Sequence, residues 1–168
     1  MPELPEVESA RRRAERALAG RRILGVATRP DPLVFAGTTP RRFARALVGR
    51  RVEAVRRKGK HLWMELDGRP WPLFHFGMSG SFEIYRDPRG RPRFWKLELA
   101  TEDGTRLAMA DTRRFGRIRL RQDPEREPPV AELGFDPLLG LPPARLIARA
   151  LARRRAPIKS VLLDQGLF

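Results

Sequence analysis

The sequence predicts a mainly β protein: an antiparallel β-sandwich of about eight strands with an N-terminal helix and C-terminal helical segments. Between residues 22 and 121 the chain divides into short segments of branched or alternating apolar residues. Turn signals separate several of them, as at Asp67-Gly68, residues 87–90 and Asp103-Gly104. This pattern is typical of an antiparallel sandwich or barrel, and we predict the sandwich.

The first element is predicted to be a helix over residues 2–19. Arginines lie largely on one face, and Gly20 follows as a natural C-terminal cap. The apolar residues at helical spacing are Leu4, Val7, Ala10, Ala14 and Leu18.

Short strands are predicted to follow the helix. The turn at residues 102–105 indicates a hairpin, because Asp-Gly between two alternating segments favours a tight turn. A short helix over residues 40–47 is expected to interrupt the strands. The predicted strands span residues 22–29, 48–57, 61–66, 73–78, 82–85, 94–100, 106–110 and 117–121.

The chain changes character after Gln122. We predict a domain over residues 1–122, a proline-rich linker over 123–143 and the start of a helical region over 144–168. Helical patterns cover residues 144–155 and continue from residue 157. Because the last pattern has no stop signal, we expect this helical region to be truncated.

The composition is strongly basic. Lys and Arg number 35 against 20 Asp and Glu, which gives a net charge of +15 and predicts a polyanionic partner. No apolar stretch approaches the roughly 18 residues of a membrane span, and the acidic N-terminus is unlike a secretory signal, so a cytoplasmic protein is expected. The chain has no cysteine and only two histidines, and we predict no metal site.

Pro2 is a candidate nucleophile. Removal of Met1 would expose a secondary amine beside Glu3, Glu6 and Glu8, and an α-amino group titrates near pH ~8. A secondary amine condenses with an aldehyde to a cationic iminium, which withdraws electrons from the neighbouring carbon. The alternative is structural, since proline and acidic residues also favour the first turn of a helix.

Residues 56–61 form a basic turn between two predicted strands. Gly59 would let the backbone approach a phosphate, and the flanking lysines, Lys58 and Lys60, would neutralise it. A solvated charge run explains the same residues.

Two further segments carry apolar side chains on predicted loops. Met78 lies between two glycines in residues 75–81, where it could wedge between base pairs or instead belong to the core. Phe115 is flanked by arginines in residues 111–117, where it could stack into the gap left by a displaced base or pack inside the sandwich.

Together these residues resemble the formamidopyrimidine-DNA glycosylase family, which is related to the endonuclease VIII type. The motifs are PELPEVE at residues 2–8, KGKH at 58–61, HFGMSGS at 75–81, DTRRFG at 111–116 and APIKSVLLDQ at 156–165. They occur in the family's order over essentially the whole chain. The resemblance implies a monomeric, cytoplasmic and nucleoid-associated base-excision glycosylase and AP lyase without a cofactor, acting on double-stranded DNA with oxidised purines or abasic sites.

The resemblance also implies roles for the matching residues at the reacting sugar. Pro2 would attack C1′ of the damaged nucleotide, and Glu3 would handle proton transfer there. Glu6 would be its neighbour in the pocket. Lys60 would bind a phosphate near the scissile bond and assist catalysis.

The remaining matches imply DNA contacts. His75 and Lys159 would bind phosphates. Met78, Arg113 and Phe115 would fill the space left by the flipped nucleotide, with Arg113 facing the orphaned cytosine.

The chain departs from the family pattern at Thr112, where proline is usual, and at His61, where an aromatic residue is common. The family also continues into a helix-two-turn-helix module and a four-cysteine zinc finger, so impaired activity is expected. Two alternatives stay open: a non-catalytic DNA-binding remnant of the same family, and a basic β-domain that binds RNA or another structured nucleic acid in an assembly.

Overall fold

The computed structural model describes residues 2–136, 138–152 and 154–167. The helices are α1 (Leu4–Leu18), α2 (Pro40–Leu47), α3 (Ala144–Ala152) and α4 (Ile158–Leu162). The strands are β1 (Ile23–Thr28), β2 (Val52–Lys58), β3 (His61–Leu66), β4 (Trp71–His75), β5 (Gly80–Tyr85), β6 (Trp95–Thr101), β7 (Arg106–Asp111) and β8 (Arg117–Arg121). No helix within these ranges is long and apolar enough to cross a membrane.

The eight strands form two four-stranded antiparallel sheets, which confirms the predicted sandwich. The first sheet has the order β1-β6-β7-β5, and the second has the order β2-β3-β4-β8. The hairpin predicted at residues 102–105 joins β6 to β7, with the Thr101 amide donating to the Thr105 carbonyl at 2.9 Å. Among the described residues the strands pair within two separate sheets rather than one closed sheet, so the structure is the predicted sandwich and not the alternative barrel.

The helix α1 lies against one open side of the sandwich, where it contacts the edge strands β2 and β5. Its buried residues are the four at helical spacing, Val7, Ala10, Ala14 and Leu18. On the other side α2 packs on β1, and Phe35 makes an isolated bridge to Ile118 of β8. The helix that follows Pro2 and Glu3 is therefore fixed to both sheets.

Between the sheets, phenylalanine rings pack edge to face in a continuous row. Phe74 contacts Phe43 at a centroid distance of 6.5 Å and Phe82 at 5.2 Å, and Phe82 contacts Phe76 at 4.9 Å. Such pairs add about 0.5–1.5 kcal/mol each beyond the burial of their area. The row ends at Phe76, so the packed core extends up to the loop that carries Met78.

Residues 130–136 form a segment that we call the strap. It begins with a 3-10 turn, Val130–Glu132, and Val130 is fully buried against Trp63 and Leu73 of the second sheet. Its far end pairs with the C-terminal segment, where the Gly134 amide donates to the Gln165 carbonyl at 2.9 Å. The predicted division of the chain at residues 122 and 143 stays a prediction.

Candidate nucleic-acid active site

The N-terminal residues are held by the first turn of α1. Glu3 is the N-cap residue in an extended conformation, and its backbone amide donates a hydrogen bond to the Glu6 carboxylate. This bond fixes the peptide that joins Pro2 to Glu3, while the Glu3 side chain is exposed. The structural interpretation of the acidic first turn is therefore correct for Glu6, and it places that carboxylate next to Pro2.

Pro2 lies at the wall of a cleft of about 430 Å³. One wall comes from the start of α1 and the other from Phe76 and the loop that leads into β5. The lining residues are Pro2, Glu6, Ser9, Ala10, Arg13, Phe76, Ser79, Gly80, Ser81 and Phe82. The cleft thus brings the predicted nucleophile and Glu6 together beside the predicted Met78 loop, whereas Glu3 does not line it.

The Met78 loop turns directly after β4. The predicted strand over residues 73–78 is too long at its end, because Gly77 adopts a φ of 62° and the chain turns there. A Cβ atom on Gly77 would overlap the main chain of Phe115, so only glycine allows the two loops to approach this closely. Met78 is 42% exposed at the tip of the loop and does not belong to the core.

Asp111 joins this loop to the next one. The carboxylate is 1% exposed, and it accepts hydrogen bonds from Ser79 Oγ at 2.6 Å and from the Arg113 amide at 3.1 Å. Its other oxygen accepts from the Gly116 amide at 2.7 Å. One buried charge therefore fixes the start and the end of the Arg113–Phe115 turn and ties that turn to the Met78 loop.

The two arginines of the turn have different roles. Arg113 is exposed, with its guanidinium 5.1 Å from the centroid of the Phe115 ring, and Phe115 is 45% exposed. Arg114 has a φ of 60° and turns back to form an ion pair with Asp31 at 2.9 Å. The outer surface of the turn is thus formed by Arg113 and Phe115.

Asp31 holds the Arg114 guanidinium on the inner side of the turn. The buried carboxylate also pairs with Lys96 at 3.0 Å. Burial by itself would raise its pKa, but the hydrogen bonds from Arg114 and Lys96 lower the pKa of Asp31 to about 2. The anchor therefore stays charged at neutral pH.

His75 lies at the end of β4, where its ring contacts that of His61 at a centroid distance of 4.7 Å with the two planes tilted by 36°. Burial, followed by the charges of Arg119, Lys60 and Arg117, lowers the pKa of His75. Burial and the neighbouring His75 lower the pKa of His61 to about 3, and its Nδ1 is buried without a partner in the described part of the chain.

The tautomer of His75 follows from its local contacts. Nδ1 accepts a hydrogen bond from the Gly77 amide at 3.1 Å, so the neutral ring carries its proton on Nε2. His75 is thus a neutral donor.

Lys60 lies in the turn between β2 and β3, after Gly59 with a φ of 55°. Together with Leu4 at the start of α1, Lys60 lines a small cavity of about 50 Å³. The turn therefore lies close to the end of α1 that carries Pro2. Lys159, in contrast, is exposed on α4, and within the described ranges no hydrogen bond or ion pair joins its side chain to the other predicted site residues.

A family model for the formamidopyrimidine-DNA glycosylase N-terminal domain matches residues 1–118. The chain belongs to this family. The formamidopyrimidine-DNA glycosylase of Arabidopsis thaliana is 38% identical over 99% of this chain and 46% of its own length, and that of Paracoccus denitrificans is 40% identical over 99% of this chain and 62% of its own length. The chain thus spans less than two thirds of both relatives.

A solved structure gives the same result for the fold. The Lactococcus lactis glycosylase in complex with DNA containing an abasic site superposes with a TM-score of 0.84. The two are 26% identical, over 99% of this chain and 62% of that one. The fold of this glycosylase family member is therefore that of a protein solved on damaged DNA.

Reasoning from the sequence missed three charged residues that organise this site in the glycosylase fold. Asp111, Arg57 and Asp136 are all buried, although each is charged. Asp111 and Arg57 occupy inward positions of β7 and β2, next to Met109 and Val55 in the strand alternation. A charged residue at an inward strand position requires a buried partner. The strand alternation alone could therefore have marked these two residues as structural charges. Among the described residues, no group of three or more His, Asp or Glu side chains could hold a metal ion.

Proposed function

We propose that the chain is the catalytic part of a DNA glycosylase and AP lyase that removes oxidised purines from double-stranded DNA. The observation that carries this proposal is the cleft of about 430 Å³ that Pro2 shares with the Ser79–Phe82 wall, next to the exposed Met78 and Phe115. A net charge of +15 suits a DNA backbone. The family relationship supports the same activity.

The proposed reaction begins once Met1 has been removed. The Pro2 nitrogen attacks C1′ of the damaged nucleotide, the N–C1′ bond forms, and the bond from C1′ to the base breaks. The base leaves with a proton, and the C1′–O4′ bond opens to give an iminium ion. Glu3 moves the proton at the sugar, and the Glu6 carboxylate holds the peptide that joins Pro2 to Glu3 in place.

The iminium then drives strand cleavage. It acidifies the C2′ protons, and the loss of one of them expels the 3′ phosphate by β-elimination. A second elimination releases the 5′ phosphate, and water frees the Pro2 amine from the sugar remnant. Lys60 and the neutral His75 bind the phosphates around this sugar, and Lys159 binds the backbone further along. No cofactor enters these steps.

Base flipping supplies the nucleotide to the cleft. Extrusion costs a few kcal/mol, and side chains inserted into the vacated space offset part of it. Met78 and Phe115 are apolar and exposed on adjoining loops, and Arg113 stacks on Phe115. In the proposed complex these three residues fill the gap, and Arg113 faces the orphaned base.

The proposal includes the organisation of the chain. Residues 1–122 are the catalytic domain, residues 123–143 the link, and residues 144–168 the start of the helix-two-turn-helix region. The protein acts as a monomer in the cytoplasm at the nucleoid. A non-catalytic protein that only binds damaged DNA is the other outcome of the test.

The test compares two labelled duplexes, one with 8-oxoguanine and one with a pre-formed abasic site. The wild-type protein, with Pro2 confirmed as its N-terminus by mass spectrometry, is expected to release the base from the first duplex and to cleave the lesion-bearing strand of both duplexes. Glu3→Gln should lose base release and keep its fold, and Phe115→Ala should lose more activity on 8-oxoguanine than on the abasic site. Binding of both duplexes without any cleavage would favour the non-catalytic function.

A further inference from the structure

Three distant segments meet at a buried ion cluster. Arg57 Nε donates to Glu8 Oε2 at 3.0 Å, and the Arg57 guanidinium binds both carboxylate oxygens of Asp136. The Arg57 and Asp136 side chains are 1% and 2% exposed. The cluster therefore connects α1, β2 and the strap.

The cluster holds the peptide groups of the residue before Lys60. Asp136 Oδ2 accepts a hydrogen bond from the Gly59 amide at 2.7 Å, and Arg57 Nη1 donates to the Gly59 carbonyl at 2.8 Å. A Cβ atom on Gly59 would lie 3.2 Å from Leu133 Cδ1, and its φ of 55° favours glycine. Both polar groups of Gly59 are thus fixed by buried charges.

The two lysines of the turn are used differently. Lys58 Nζ donates to the Leu133 carbonyl at 2.9 Å, so its charge is directed into the strap. The Lys60 ammonium group has no hydrogen bond or ion pair with any other residue that the structure describes, and Lys60 lines a cavity together with Leu4. Lys60 is therefore the lysine of this turn that is available to an anion near Pro2.

Stability alone does not explain why these charges are buried. Apolar side chains of similar volume often stabilise such a site as well as a buried ion cluster does, whereas an ion cluster with directed hydrogen bonds specifies one geometry. Here the directed bonds end on Gly59. The cluster therefore defines the position of the turn from which Lys60 extends.

We infer that Asp136 is a positioning residue for Lys60: acting with Arg57 on Gly59, it sets the distance between the Lys60 ammonium group and the Pro2 amine. This inference rests on the proposed function, in which Lys60 binds a DNA phosphate at the reacting sugar. Asp136 itself touches no reacting atom.

The test is a double-mutant cycle on DNA binding, with Asp136→Asn, Lys60→Met and the double variant. The probe is a duplex with a tetrahydrofuran analogue of an abasic site, titrated at several salt concentrations. Lys60→Met removes one phosphate contact and should lower the slope of log Kd against log salt by about one. Asp136→Asn should lower the slope by about the same amount and weaken binding about tenfold, with less than a twofold further effect in the Lys60→Met background.

A matched control separates positioning from general damage. Glu98 is a carboxylate with 3% exposure that pairs with Arg91 at 2.8 Å in the other sheet. Glu98→Gln should leave the salt slope and the effect of Lys60→Met unchanged. If Asp136→Asn does not fold, the pair replacement Arg57→Met with Asp136→Leu removes both charges together and should give the same loss of slope.

The outcomes are distinct. An unchanged slope in the Asp136 variant, or effects of Asp136→Asn and Lys60→Met that add, would overturn the positioning role while the proposed function stands. A wild-type protein that neither binds this duplex nor reacts with a natural abasic site would overturn the proposed function, and the inference with it.

Discussion

Two buried charged groups, one around Asp111 and one around Arg57, support the candidate site, and they differ in how they use charge. At the loop pair, Asp111 is a single buried carboxylate that accepts from a hydroxyl and two backbone amides. At the Lys60 turn, Arg57 is a buried cation between two carboxylates that lie 49 and 79 residues away in sequence. The first support fixes two loops to each other, and the second fixes three segments of the chain.

This difference predicts how each support fails. Neutral donors around Asp111 lose a partner when it changes, but they do not become unpaired charges. Loss of Arg57 leaves the almost completely buried Asp136 as an uncompensated charge, whereas Glu8 keeps its ion pairs with Arg11 and Arg12. Loss of the second support should therefore affect the whole fold, and loss of the first should affect mainly the loops.

The largest effect is expected for Arg57→Met. Removing one partner of a buried ion pair leaves an uncompensated charge and costs about 3–5 kcal/mol. Arg12→Met is a matched control, because Arg12 binds the same Glu8 at 2.8 Å but is 65% exposed. The control should cost less than about 1 kcal/mol, and urea unfolding of both variants measures the difference. Equal losses would show that burial does not distinguish the two ion pairs.

A smaller effect is expected for Asp111→Asn, which keeps the shape of the side chain but removes its charge. Weakening three hydrogen bonds to a buried carboxylate should cost about 1–3 kcal/mol of stability. Because the two loops then separate more easily, base release from 8-oxoguanine should fall more than reaction at a pre-formed abasic site.

The control for Asp111→Asn is Asp103→Asn at the other end of β7. Asp103 accepts from Thr101 at 2.8 Å within the β6–β7 hairpin, far from the loops. Its variant should leave the ratio of the two activities unchanged. A change of that ratio in both variants would mean that it reports on general stability.

Acid should weaken the ionic support. Hydrogen bonds from Arg11, and then from Arg12 and Arg57, lower the pKa of Glu8 from 4.5 to about 2. A carboxylate with a lowered pKa stabilises the fold above its unfolded value, and this contribution disappears as the pH falls from about 4.5 to about 2. The loss should be on the order of 1–2 kcal/mol for the wild type and smaller for Arg57→Met. The measurement is the unfolding midpoint of both proteins over this pH range. If stability changes with pH identically in the wild type and in Arg57→Met, Arg57 does not contribute to the lowered pKa of Glu8.

The smallest effect is expected for Ser79→Ala. It removes one hydrogen bond to Asp111, which leaves the two backbone donors in place and should cost about 1 kcal/mol. Ser81→Ala, whose hydroxyl donates to Glu83 at 3.0 Å, is the control and should be close to neutral. If both serines have the same effect, the link between the loops through Ser79 carries little of their order.

Local patterns in the sequence were enough for most of the fold. The predicted bounds of β3, β8 and α2 agree with the structure, because alternation and turn residues act over a few positions. β4 begins two residues before its prediction and ends at His75, since the contact between Gly77 and Phe115 that ends it joins residues far apart in sequence. The row of phenylalanines and the strap likewise depend on tertiary contacts.

The site could be predicted only where its chemistry lies in one motif. Pro2, Met78 and Phe115 stand in motifs whose residue types indicate their chemistry, and the structure exposes Met78 and Phe115 on adjoining loops. Asp111 and Arg57 are recognisable as charged residues at inward strand positions, but their partners are not. The ion pair of Arg57 and Asp136 spans 79 residues, and no local pattern encodes it.

Borohydride trapping tests the central claim most directly. The wild-type protein, with Pro2 as its N-terminus, is incubated with a labelled duplex that carries one abasic site; reductant is added, and the covalent product is mapped by peptide mass spectrometry. The account predicts one adduct, at the Pro2 nitrogen. A duplex that binds without forming an adduct, or an adduct at a lysine instead, would contradict the assignment of Pro2 as the nucleophile.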